Sequence, residues 1–119
     1  MNPSLRAVLD SRGDVDVEVL SDLLQVPAER LAESIGIDAS DVEGAPTDRD
    51  SDTKERLRQL ADVLRCTAPW AGSVEMAWAH YRSYPIPALG GLTAEALFAS
   101  GRVDELFQYL RHIEQGGYA

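Results

Sequence analysis

The sequence predicts an all-α protein, and three observations carry that expectation. Apolar residues recur at three- and four-residue spacing through most of the 119 positions. No run alternates apolar and polar residues over the length of a strand. Helix starters (Asp, Ser, Thr, Pro) and helix enders (Gly) fall at the borders of the periodic segments.

Leu5, Val8 and Leu9 mark a short helix ending near Gly13, and Val17, Leu20, Leu23 and Leu24 mark a second, entered from Asp14 or Asp16. Gln25-Val26-Pro27 turns the chain into a third helix, with Pro27 at its first position, Leu31 and Ile35 on one face and Gly36 just past its end. Ile37 and Val42 bracket a single turn begun at Ser40. The polar stretch EGAPTDRDSDTK reads as a loop and divides a domain of residues 1–50 from one of residues 51–119. From Ser51 or Asp52, a helix places Leu57, Leu60, Ala61 and Leu64 on one face, with basic residues opposite and Arg65 near its C-terminus. APWAG is expected to break it, because proline lacks an N–H and glycine favours turns. Ser73 caps VEMAWAHYRSY, which Pro85 and Pro87 must end, so YPIPALGG is an extended segment and tight turn. Thr93 caps AEALFA up to Ser100-Gly101. A last helix carries the stripe Val103, Leu106, Leu110 and Ile113 until Gly116-Gly117.

Composition narrows the function classes. Apolar residues make up 45%, enough for a buried core. The chain holds 11 Lys and Arg against 20 Asp and Glu, a net charge of −9, the opposite of a nucleic-acid binder's basic footprint. Residues 1–45 alone set three arginines against ten carboxylates. Cys66 is the single cysteine, which excludes an internal disulfide or a cysteine zinc site and fits a reducing cytoplasm. The N-terminal stretch lacks the apolar core of a signal peptide, and no run approaches the roughly 18 apolar residues of a membrane span.

The helices around Gln25-Val26-Pro27 have the layout of a helix-turn-helix, with residues 28–35 in the place of a recognition helix. Groove reading needs donors near the front of that helix, and Arg30 stands there between Glu29 and Glu33. His80 and His112 lack a cysteine or carboxylate partner at ligand spacing, so no metal is expected. Ser73, Ser83 and Ser100 sit at helix ends without a base, and neither catalysis nor a cofactor is indicated. Trp70, Trp78, Tyr81 and Tyr84 surround the proline-rich segment and are expected to pack in the core and at its edge, Trp78 foremost, with Tyr84 open to an interface role. Pro85 to Gly91 make a rigid surface that suits either an inter-helix corner or a docking site.

Several elements then occur in order: Trp78, the run Pro85-Ile86-Pro87-Ala88-Leu89-Gly90-Gly91-Leu92-Thr93, a glycine-led last helix from Gly101, and the ending Gly116-Gly117-Tyr118-Ala119. Over residues 52–119 this resembles the toxin-binding domain of the Xre/MbcA/ParS antitoxins, whose pattern runs tryptophan, proline, an LGG-T-P stretch and a glycine-aromatic-alanine terminus. Ala94 departs from it, standing where many members carry proline.

The resemblance implies a non-enzymatic antitoxin in two helical parts. The first is an Xre-like helix-turn-helix for dimerisation and sometimes operator binding; the second covers the active site of a RES-domain toxin, an NAD-degrading enzyme. Tyr84, Pro85, Leu89, Gly90, Gly91, Gly116, Gly117, Tyr118 and Ala119 are the toxin-facing residues on this reading. The terminal four bring slender backbone, an aromatic ring and a carboxylate that could occupy a cationic pyrophosphate subsite. The net charge of −9 would steer the approach to such a pocket. Arg30, Arg49, Lys54, Arg56 and Arg58 are the residues available for operator DNA, although the acidic third helix does not favour direct reading. The alternative is a helix-turn-helix transcriptional regulator, recognised by salt-dependent affinity for its own promoter. A homodimer or a hetero-oligomer with the toxin is expected; a membrane is not.

Overall fold

The computed structural model describes residues 15–42 and 50–114. The expected all-α class is borne out: seven α-helices account for most of the described residues, which hold no strand beyond isolated bridges such as Ile86 with Leu92. The chain divides into two compact units, Met1–Asp62 and Val63–Ala119.

In the first unit, α1 (Val17–Leu24) starts where the Asp16 carboxylate accepts the Val19 N–H at 3.2 Å, and it buries Val17, Leu20, Leu23 and Leu24. It closes with Val26 N–H donating to the Ser21 carbonyl and Gln25 N–H to that of Asp22, which throws Gln25 into the left-handed region at φ 58°. Helix α2 (Ala28–Ser34) repeats the same closure on Gly36, at φ 76°. Its ends sit one residue inside the expected ones. Pro27 caps the helix rather than opening it, because its extended backbone (ψ 159°) presents its carbonyl to Arg30 and Leu31. Ile35 falls at the other cap, still fully buried. Buried Ser34 is satisfied by donating to the Leu31 carbonyl at 2.7 Å. The single turn is α3 (Ala39–Val42), which buries Val42. The helix expected around Leu5 to Leu9 lies outside the described residues.

Helix α4 (Ser51–Ala71) begins at Asp50, whose carboxylate accepts the Thr53 N–H at 2.7 Å; that bond, then the Thr53 hydroxyl, holds the Asp50 carboxyl below its usual range. Leu57, Leu60 and Ala61 are buried, and Arg56 Nη1 donates to the Ile35 carbonyl at 2.8 Å, which ties the start of α4 to the end of α2. The break expected at APWAG is corrected: α4 runs through Pro69 to Ala71 and ends at Gly72, at φ 108°. Proline deprives only the Arg65 carbonyl of its helical donor, and both residues are exposed, so water can serve that carbonyl. At the helix end, Gly72 N–H donates to the Ala68 carbonyl at 2.9 Å and keeps the last turn closed.

In the second unit, Ser73 caps α5 (Val74–Ser83) by accepting the Met76 N–H at 3.0 Å. Thr93 caps α6 (Ala94–Ala99) by accepting that of Ala96 at 3.1 Å. Helix α7 is described over Val103–Glu114; the expected last residue, Gln115, lies outside the described residues. Its stripe Leu106, Leu110 and Ile113 is buried with Ala77, Trp78, Tyr81, Ile86, Leu97 and Phe98. Trp78 is therefore a core residue, as expected. No helix among the described residues is long and apolar enough to cross a membrane.

Candidate functional site

The segment between α5 and α6 is a rigid turn with an apolar exterior. Pro85 stops α5, whose last bond is Tyr84 N–H to the His80 carbonyl at 3.0 Å. Ile86 then turns inward, only 2% exposed, and pairs with Leu92 by donating to its carbonyl at 3.0 Å. The Ile86 carbonyl accepts both Leu89 N–H at 3.0 Å and Gly91 N–H at 2.9 Å, which winds Pro87–Leu89 into a 3₁₀ turn. Gly90 and Gly91 follow at φ 74° and 77°. An added Cβ would meet nothing within 4 Å at either glycine, so backbone conformation, not space, requires glycine there. One buried isoleucine thus anchors a turn whose Pro85, Pro87, Ala88, Gly90 and Gly91 face solvent, with Leu89 half-buried.

An aromatic stack adjoins that turn. His80 lies parallel to Tyr84, ring centroids 4.2 Å apart, and Trp70 meets His80 edge-on at 4.7 Å. Helix α7 adds Tyr109, whose phenol is pushed up from its usual value by burial and then by the neighbouring Tyr84. Tyr84 itself is 40% exposed. Of the sequence-predicted residues, the structure brings Tyr84, Pro85, Leu89, Gly90 and Gly91 onto this one surface. Gly116, Gly117, Tyr118 and Ala119 lie outside the described residues.

Sequence reading set Trp70 beside the proline-rich segment as a packing residue but missed His80 and Tyr109 as members of the surface. The four-residue spacing of His80 and Tyr84 is a usable signal for one contact; the other two join residues on different helices. Partial burial among these rings holds the His80 imidazole below its usual 6.5. The neutral form is therefore favoured in the folded protein. Unfolding stability should be highest above pH 6.5 and decline as the pH falls below it, where the unfolded chain takes up the proton first. Urea titrations across that window should show the decline, and His80→Phe, which keeps an aromatic ring but cannot titrate, should flatten it.

The cations considered for DNA do not assemble into one open basic face. Arg30 pairs with Glu33 at 3.4 Å, Arg58 with Glu55 at 3.2 Å, and Arg56 with Asp52 at 3.1 Å while also holding the Ile35 carbonyl. Lys54 is half-buried, and Arg49 lies outside the described residues. Helix α2 exposes Glu29 and Glu33 on its surface. Among the described residues no group of three or more His, Cys, Asp or Glu could hold a metal ion. The Ser73 and Ser100 hydroxyls are engaged in helix-end bonds. The half-buried Cys66 has Arg65 Nη2 3.9 Å from its sulfur. Comparison with known protein families, curated proteins and solved structures finds no match to this chain.

Proposed function

We propose that the chain is an antitoxin of the Xre/MbcA/ParS type, which neutralises a RES-domain, NAD-degrading toxin by binding it and covering its active site. The single observation that carries this reading is the turn from Tyr84 to Leu92: in the stretch on which the resemblance rests, it is fixed by four backbone hydrogen bonds and faces apolar atoms to solvent. A surface already held in one conformation loses little entropy when a partner closes over it. Tyr84, stacked on His80 and half-exposed, has the character of an aromatic anchor at such a contact. On this reading Gly116, Gly117 and Tyr118 extend the contact into the toxin's substrate site, glycines giving a slender backbone and tyrosine a stacking ring. The first unit, a degenerate helix-turn-helix, serves as scaffold.

Co-expression with the adjacent reading frame tests the proposal, with complex mass measured by size exclusion and light scattering and cellular NAD followed in parallel. The expected result is a stable complex, with NAD lost only when this chain is absent or lacks residues 116–119. No complex, or unchanged NAD, would overturn it.

A further inference from the structure

The end of α5 leaves backbone acceptors open. A continuing helix would bring the donor for the Ser83 carbonyl from position 87, and Pro87 has no N–H. The donor due to the Arg82 carbonyl, Ile86 N–H, goes instead to Leu92 at 3.0 Å. Among the described residues the carbonyls of Arg82 and Ser83 therefore accept no hydrogen bond, and both residues are exposed. They stand at the negative end of a ten-residue helix. Tyr84 adds an aromatic face at the same end. Its ring stacks back on His80, one turn earlier, at 4.2 Å, so the covered face looks toward the start of α5 and the opposite face toward its end, the way the carbonyls point. Tyr84 keeps 40% of its surface open. No residue from Ser83 to Ala94 is charged, and partial burial favours neutral His80. Arg82, two positions before Tyr84 and hence on the other side of the helix, lies over the Trp78 ring, 5.6 Å from its centre.

We propose that this end of α5 takes an arginine side chain of the bound toxin, the guanidinium stacking on the outer face of Tyr84 and donating to the Arg82 and Ser83 carbonyls. That the arginine belongs to the toxin rests on the antitoxin reading; that the group is an arginine follows from the site. Open carbonyls call for a donor, and the negative face of an aromatic ring attracts a cation, so the group that fits is both. A guanidinium is planar, stacks on a ring and keeps its N–H edge free to donate, whereas an ammonium is a compact, strongly hydrated charge. A carboxylate would meet only acceptors and the negative helix end, and does not fit. The net charge of −9 draws a cationic partner surface toward the chain.

Titration calorimetry of the full chain against the purified toxin tests it, with circular dichroism to confirm that each variant is folded. Tyr84→Phe keeps the ring and should hold the Kd within about threefold. Tyr84→Leu keeps apolar bulk without a π face and should weaken binding about tenfold. Each arginine of the toxin is then changed to Met, which keeps an apolar stem and loses the charge and the donors. One such change should weaken the native complex at least about tenfold and, combined with Tyr84→Leu, weaken it no further, the coupling of groups in direct contact. A Kd that Tyr84→Leu leaves intact would overturn the proposal, as would a full set of toxin variants whose effects simply add to that of Tyr84→Leu. Absence of any complex overturns the antitoxin reading along with it; a firm complex indifferent to these changes overturns the arginine site alone.

Discussion

Tyr81→Ala is expected to remove about 3–5 kcal/mol from the stability of the second unit, the range found when a large buried aromatic is cut back to Ala. Tyr81 is 1% exposed, lies parallel to Trp78 with ring centroids 5.6 Å apart, and meets Phe98 edge-on at the same distance. Two helices therefore rest on one ring: α5, which carries it, and α6 through Phe98. Its loss leaves a cavity and ends two aromatic contacts worth roughly 0.5–1.5 kcal/mol each beyond the area they bury. Since small domains are stable by only about 5–15 kcal/mol, the variant should unfold at markedly lower urea, seen by circular dichroism. Tyr81→Phe, which keeps the ring, should lose far less. A cost below about 1 kcal/mol for Tyr81→Ala would mean that the core closes over the gap.

Tyr84→Ala should behave in the opposite way, with a small effect on folding and a large one on binding. Its ring covers His80 but is 40% exposed and seals no cavity, so the stability change should stay within about 1 kcal/mol. If the turn is the toxin contact, removing its aromatic anchor should weaken the complex by at least about 2 kcal/mol, roughly thirtyfold in Kd. Titration calorimetry on the purified pair reads this directly. An unchanged Kd with intact folding would move the contact away from Tyr84. Comparing the two variants separates a residue that builds the surface from one that uses it.

Much of the helical layout was legible because the signals that set it act within four residues. Asp16, Ser73 and Thr93 each cap the helix expected of them by a bond to the residue three positions on. Gly36 and Gly101 end theirs at φ 76° and 77°, a conformation open to glycine at little cost. Leu106, Leu110 and Ile113 of the α7 stripe are buried as its period implied, while Val103 at its start is half-buried. The failure at Pro69 has the same local logic carried too far. A proline in a last turn removes one hydrogen bond of the helix, and that loss is tolerable where the residues concerned, Arg65 and Pro69, lie exposed. Exposure is not written in spacing.

The amino-acid sequence alone therefore determined the helical class, the caps and the inward faces, and it singled out the turn from Tyr84 to Gly91. Only the tertiary structure decided what surrounds that turn and what else lies open. Trp70 and Tyr109 join the turn's surface from different helices, Arg56 reaches back to Ile35 across 21 positions, and the face of Met76 and Ala79 is left uncovered. Such contacts depend on how helices dock. Docking is governed by the summed burial of many apolar groups, to which no single interval in the sequence corresponds.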